Sequence, residues 1–240
     1  MRAFRSKMMK SQKVLILGNK QYRNFKLDEI VDSFDIIYRF NLAWPGKNNG
    51  TKFGRLAMCS HVYNNFVART LDKEAIIQIY ECDYELSFLG EWYDFFQENN
   101  EKFEEMYHEN EHNWDAWNEM LESYGSPYIF SKMASTGYST IFRNLEQGSE
   151  IYVLGFTLCD DELRETVGDA PGIAIRREQG ANCHSFSDER QILAWLHNSK
   201  KVDASLCMLN DTEEISFKPN MYNTEPSQFI LKLLKQEADA

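Results

Sequence analysis

Short apolar runs alternate along the chain with longer amphipathic segments, which is the pattern of an α/β protein. The run at 13–18 is continuously apolar after Lys13 and ends in Gly-Asn, as expected of a buried parallel strand that leads into a loop. Further strands are predicted at 35–40, 55–59, 75–80 and 150–156. The pattern therefore predicts a parallel sheet flanked by helices.

Three helices are predicted in the second half of the chain. Ser135 and Thr136 are good capping residues and open a helix that runs to about residue 146. A second helix follows His184, and a third covers 226–237. In such sheets ligands bind beyond the carboxyl ends of the strands. These ends carry Gly18, Asn19, Asn41, Gly155 and Phe156.

The acidic residues are concentrated in one segment, 81–124. It contains 14 acidic residues and a single basic one, Lys102, so the rest of the chain sums to about +2. Its many aromatic residues predict helices with apolar contacts rather than a disordered tail. We interpret 81–124 as a helical insertion or lid within a single domain that spans 1–240.

The composition limits the class of function. The chain of 240 residues has a formal net charge of -11, which argues against nucleic-acid binding. No apolar run is long enough to span a membrane, and no secretory signal is evident, so we expect a soluble cytoplasmic protein. Five scattered cysteines without a Cys-x-x-Cys pair also fit a reducing compartment. Peripheral association with a membrane stays open.

The chain resembles the sialyltransferases, both the animal type with its sialylmotifs and the compact bacterial or viral type, and three blocks, in order, carry the resemblance. The large-motif block comprises 14–19, 32–41 with its Arg-x-Asn end, and the Gly-rich turn 50–54. The small-motif block comprises 135–145 and 150–156. The very short motif is the His-x4-Glu spacing from His184 to Glu189.

This resemblance implies a Rossmann-like sheet of the sialyltransferase GT-A variant and transfer, with inversion, of sialic acid or a related nonulosonic acid. The donor would be a CMP-sugar, the acceptor an oligosaccharide or glycolipid, and no cofactor or metal would be required. His184 would be the general base, since a histidine pKa near 6.5 suits that role. The family's usual partner of the leaving phosphate is missing before His184. Arg176 and Arg177 are the available substitutes.

Most of the other predicted site residues could have a structural role instead of a role in ligand binding. Asn19 and Asn41 would bind ribose, phosphate or cytosine, but asparagine also forms turns. The segment Ser135, Thr136 and Gly137 would bind a carboxylate or phosphate through hydroxyl and N–H groups, or would simply cap a helix. Gly155 and Phe156 would approach the nucleotide closely, with Phe156 contributing main chain more than ring.

Two other functions are compatible with parts of the sequence. The first is a CMP- or glycan-binding protein of the same fold that lacks the chemistry. The second is a zinc hydrolase, because His108 and His112 match the His-Glu-x-x-His string that binds zinc from one helix face. Glu111 places a negative charge at a position that is uncharged in such helices, which argues against the zinc interpretation. The chain has no Asp-x-Asp of the kind that metal-dependent glycosyltransferases use.

Overall fold

The computed structural model is an α/β fold built on a parallel sheet, in agreement with the sequence pattern. It describes residues 12–20, 22–40, 45–46, 48–58, 98, 100–102, 104–108, 114–156, 158, 184–219 and 222–238. The predicted strand at 75–80 lies outside these residues. Within the described residues no helix is both long and apolar enough to cross a bilayer.

Five described strands form the sheet. They are β1 (Lys13–Leu17), β2 (Ile36–Phe40), β3 (Arg55–Met58), β4 (Glu105–His108) and β5 (Glu150–Leu154). Their order across the sheet is β4-β3-β2-β1-β5, and every neighbouring pair is parallel. Leu15 lies opposite both Ile37 and Tyr152, so β1 is a central strand. The order reverses at β1, because the chain moves outward from β1 to β4 and then returns to the other side of β1.

The described helices cover both faces of the sheet. The α-helices are α1 (Asp28–Asp32), α2 (Trp114–Ser123), α3 (Thr136–Glu146), α4 (Phe186–Asn198) and α5 (Gln228–Ala238), and 3₁₀ turns occur at Asn100–Lys102 and Ser205–Met208. The sequence predicted α3, α4 and α5 to within about two residues. Ser185 begins α4 as its N-cap by accepting a hydrogen bond from the N–H of Asp188.

Alternate residues of the strands enter two separate cores because successive side chains point to opposite faces. One core contains Val14, Ile16 and the apolar faces of α2, α3 and α4. The other contains Leu15, Leu17 and the apolar faces of α1 and α5. Both faces of β1 are therefore buried, which explains its unbroken apolar sequence.

The acidic segment 81–124 is only partly helical. Trp114–Ser123 forms the predicted helix and buries Trp117 and Leu121. Glu105–His108, however, is a strand that pairs with β3 in the central sheet. This part of the segment therefore belongs to the sheet itself, and the prediction of helix was wrong at these four residues.

Candidate functional site at the carboxyl ends of β1 and β5

Four predicted site residues lie at the carboxyl ends of β1 and β5, where the strand order reverses. Gly18 and Asn19 follow β1, Gly155 and Phe156 follow β5, and the N–H of Gly18 donates to the carbonyl of Leu154 over 2.7 Å. Adjacent parallel strands whose connections run in opposite directions leave a crevice beyond their carboxyl ends. This is the place where an α/β sheet ordinarily binds its ligand.

Two glycines allow the loops after β1 and β5 to touch. A Cβ atom on Gly18 would lie 2.7 Å from the carbonyl oxygen of Gly155, and a Cβ on Gly155 would lie 2.7 Å from the carbonyl oxygen of Gly18. Gly155 also has a φ of 78°, which other residues rarely adopt. The backbone of each glycine fills the space that a side chain on the other would need, so the two loops pack directly against each other.

The amide of Asn19 has an unmet hydrogen-bonding capacity. Its Oδ1 is buried and has no hydrogen-bond partner among the residues that the structure describes. A buried acceptor without a partner costs about 1–3 kcal/mol, so such an atom is a candidate for contact with a donor group on a ligand. Ribose hydroxyls and the cytosine amino group are donors of this kind.

The loop that follows Asn19 is held in place by hydrogen bonds from its backbone N–H groups to side chains elsewhere in the chain. The carboxylate of Asp211 accepts hydrogen bonds from the N–H groups of Arg23, Asn24 and Phe25, at 2.8–3.1 Å. From the other side, Asn48 accepts from the N–H of Leu27 at 2.8 Å. Burial alone raises the pKa of Asp211, but the hydrogen bonds outweigh it and leave this pKa below the ordinary value. The carboxylate that holds the loop is therefore ionised at neutral pH.

The start of α3 packs against the end of β5. A Cβ on Gly137 would lie 2.7 Å from the ring of Phe156, and that ring also makes edge contacts with Tyr138 and Phe40. Phe156 thus uses its ring to seat α3 on the sheet. This contact gives Gly137 a packing role and places the ring of Phe156 against the protein.

Ser135 is at the N-cap position of α3, yet its hydroxyl does not cap this helix in the described structure. Its N–H donates instead to Oε1 of Glu189 at 2.8 Å. The first N–H groups of an α-helix have no acceptor within the helix. The hydroxyl of Ser135 therefore does not cap α3, and the N–H of Ser135 is already used by Glu189.

His184 lies beside the same helix start. Its Nδ1 is 2.8 Å from the carbonyl oxygen of Met133, which is two residues before Ser135. A carbonyl can only accept a hydrogen bond, so Nδ1 must carry the proton. In the neutral ring Nε2 is then the unprotonated nitrogen and can take up a proton. His184 thus contacts the segment that leads into α3, and the first turn of α3 packs on Phe156.

Three predicted site residues lie outside the described residues. Asn41 follows β2 directly, and Arg176 and Arg177 precede His184 along the chain. The structure describes the other eight: Gly18, Asn19, Ser135, Thr136, Gly137, Gly155, Phe156 and His184. Of these, Gly18 packs against Gly155 and Gly137 packs against Phe156, whereas Ser135 and His184 contact Glu189 and Met133.

Arg39, the arginine of the Arg-x-Asn end, was not predicted as a structural residue. It is fully buried on β2, and its guanidinium donates to the carbonyls of Asn49, Lys52 and Phe53 at 2.7–3.2 Å. Burial lowers its pKa to about 10, although Asp32 and Asp28 oppose the shift. Arg39 remains charged at neutral pH and holds the Gly-rich turn against the sheet.

The helical zinc site does not form at His108. His108 is the last residue of β4, whereas the His-Glu-x-x-His arrangement requires helix from its first histidine onward. His112 lies outside the described residues. Among the residues that are described, no cluster of three or more His, Cys, Asp or Glu could hold a metal ion.

A groove of about 700 Å³ lies at the opposite, amino end of β5. It includes His197, whose Nε2 donates to the carbonyl of Glu225 at 2.8 Å and whose Nδ1 accepts from the N–H of Ala204 at 3.1 Å. Both ring nitrogens are engaged by the backbone. This histidine holds the chain after α4 in place and is unavailable for proton transfer, so the groove is not the catalytic candidate.

Neither the models of protein families nor the curated proteins give a match to this chain. The resemblance to sialyltransferases therefore rests on the three short blocks. Their residues meet at one edge of the sheet: Gly18 from the first block contacts Gly155 from the second, and Glu189 from the third binds Ser135 from the second.

Proposed function

We propose that this protein is a metal-independent glycosyltransferase that moves sialic acid, or a related nonulosonic acid, from a CMP-sugar to a carbohydrate acceptor. The observation that carries the proposal is the hydrogen bond between His184 Nδ1 and the carbonyl of Met133. It leaves Nε2 as the basic nitrogen of the neutral ring, beside the start of α3. A histidine that donates from Nδ1 to a carbonyl has Nε2 as its proton-accepting atom, which is the role of a general base.

In the proposed reaction the acceptor hydroxyl attacks the anomeric carbon of the donor. His184 Nε2 takes the hydroxyl proton as the new carbon–oxygen bond forms. The bond from the anomeric carbon to the phosphate oxygen breaks, and its electron pair leaves with CMP. Attack from the side opposite the leaving group inverts the anomeric centre. Arg176 and Arg177 are proposed to stabilise the charge on the departing phosphate.

The donor is proposed to lie over the contact between Gly18 and Gly155. The buried Oδ1 of Asn19 supports this placement, because it needs a donor such as a ribose hydroxyl or the cytosine amino group. Asn41 is proposed as a second amide at the same edge. Ser135, Thr136 and Gly137 are proposed to contact the sugar carboxylate or the phosphate at the start of α3.

One observation favours the second candidate function, a CMP- or glycan-binding protein without transfer. The side chain of Glu189 is buried at the start of α3 and accepts the N–H of Ser135. A carboxylate at this position opposes the attraction of a helix N-terminus for a departing phosphate. Binding would then persist while the stabilisation of the leaving group is weak.

Replacing His184 with Ala tests the proposal. We expect transfer from the CMP-sugar to fall about a hundred- to ten-thousandfold, because a general base contributes on that scale. The affinity for CMP, measured by calorimetry, should be unchanged. The matched control is His197→Ala, which removes a ring whose two nitrogens are hydrogen-bonded to backbone groups and should lower the melting temperature without slowing transfer per folded molecule.

The assays also separate the two candidates. Tight binding of CMP by the native protein without transfer or hydrolysis of the donor would select the binding protein. A folded His184→Ala variant that binds CMP and transfers sugar at the native rate would show that His184 is not the base.

A further inference from the structure

The segment 131–135 is fastened at both of its ends by the first turn of α4. At one end, the N–H of Ser131 donates to Oδ2 of Asp188 at 3.0 Å, and the Ser131 hydroxyl donates to the same oxygen. At the other end, the N–H of Ser135 donates to Oε1 of Glu189 at 2.8 Å. Two adjacent carboxylates therefore hold the two ends of one short segment.

The carbonyl of Met133 is in the middle of this segment and faces Nδ1 of His184. The attachments at Ser131 and Ser135 are each two residues away from it, so they restrict where this carbonyl can lie. Asp188 and Glu189 are themselves fixed because they belong to the capped start of α4. His184 thus contacts a carbonyl that its own helix holds in place.

The electrostatics of Asp188 agree with this geometry. Burial alone raises its pKa, but the hydrogen bonds from Ser131 and Ser185 and the charge of Lys132 lower it below the ordinary value. Asp188 is therefore ionised at neutral pH, and hydrogen bonds to a charged acceptor are stronger than those to a neutral one. The attachment at Ser131 is accordingly one that a neutral side chain would weaken.

We propose that Asp188 is a positioning residue for His184. Through Ser131 it keeps the carbonyl of Met133 on Nδ1, and so it keeps the proton on Nδ1 and leaves Nε2 basic. The effect on the histidine is a property of the folded chain without any substrate. Only its consequence for catalysis rests on the proposed function.

The tautomer of His184 can be measured directly by the ¹⁵N chemical shifts of its ring in long-range proton–nitrogen spectra. In the native protein we expect a protonated Nδ1 and an unprotonated Nε2. In Asp188→Ala we expect intermediate shifts that indicate exchange between both tautomers. Asp188→Asn retains an oxygen acceptor at the same place but loses the charge, so its spectrum should depart from the native pattern less than that of Asp188→Ala.

Asp35→Ala is the matched control. The carboxylate of Asp35 also accepts a backbone N–H, that of Lys13 at 2.9 Å, but at the amino end of the sheet. Its loss should change stability and leave the His184 spectrum unaltered. A native tautomer in folded Asp188→Ala would overturn the proposal, and so would an equal change in Asp35→Ala.

Steady-state kinetics give the second measurement. If the proposed function is correct, Asp188→Ala should lower kcat roughly ten- to a hundredfold with little change in KM for the CMP-sugar, because slight misplacement of a catalytic group has effects of that order. A changed tautomer together with an inactive native protein would support the positioning role and reject the transferase. If the native protein transfers sugar but Asp188→Ala has an unchanged tautomer and an unchanged kcat, the transferase would be supported and the positioning role of Asp188 rejected.

Discussion

At the scale of single residues, Gly155 is the position at which the site depends most on a missing side chain. Its φ of 78° is unfavourable for other residues by about 1–2 kcal/mol, and a Cβ would lie 2.7 Å from a backbone oxygen of Gly18. We expect Gly155→Ala to reduce the free energy of unfolding by more than the backbone effect alone, because neither loop can move without disturbing its strand. Urea denaturation measures the change.

Gly148 provides the control for this prediction. It ends α3 with a φ of 70°, and a Cβ there would have no atom within 4 Å. Gly148→Ala therefore measures the backbone effect without a clash. If the two variants lose the same free energy of unfolding, the close approach of Gly18 and Gly155 contributes nothing to stability.

At the scale of elements, the loop after β1 depends on an ionised carboxylate. The pKa of Asp211 is below its ordinary value in the folded chain, because backbone hydrogen bonds outweigh the effect of burial. A lowered pKa contributes stability above the unfolded value of about 3.9 and loses it as the pH falls through the folded value. We expect Asp211→Asn to destabilise the protein at pH 7 and to have a smaller effect near pH 3.

Unfolding by urea at the two pH values measures this difference. Glu213→Gln removes one negative charge from an exposed position nearby and should have little effect at either pH. A destabilisation by Asp211→Asn that is equal at both pH values would mean that the charge of this carboxylate does not hold the loop.

The sequence predicted those elements whose local pattern decides their structure. β1, β2 and β5 are runs of mainly apolar residues, with Arg39 in β2, and are buried on both faces, so the sequence pattern locates them. β4 was missed because Glu105–His108 has no such run and lies in an acidic stretch. Its strand conformation follows from pairing with the edge of β3, and this pairing is not visible in the local sequence.

The same distinction applies to the site. Gly18, Asn19, Gly155 and the start of α3 were predictable because strand ends and helix starts can be read locally. The attachment of Ser131 to Asp188 joins residues 57 positions apart, and nothing in either neighbourhood marks them as partners. Sequence patterns locate groups at the ends of elements, whereas only the tertiary structure shows which of these groups hold each other.

At the scale of the whole molecule, the proposed donor site predicts binding of CMP without a divalent cation. The chain contains no Asp-x-Asp, and the proposed contacts are amide, hydroxyl and backbone groups rather than carboxylates. We expect the affinity for CMP, measured by calorimetry, to be the same with EDTA and with added magnesium. Affinity that is lost in EDTA and restored by magnesium would contradict this arrangement.

The central place of β1 also bears on how the protein is made. Leu17 pairs with Leu154, so one edge of β1 stays open on the ribosome until a much later part of the chain has been translated. Contacts between such distant residues form slowly, and an apolar strand with an open edge can pair with other chains in the meantime. Chains that stop before Glu150 should therefore be prone to aggregation, and fast translation at high expression should favour inclusion bodies.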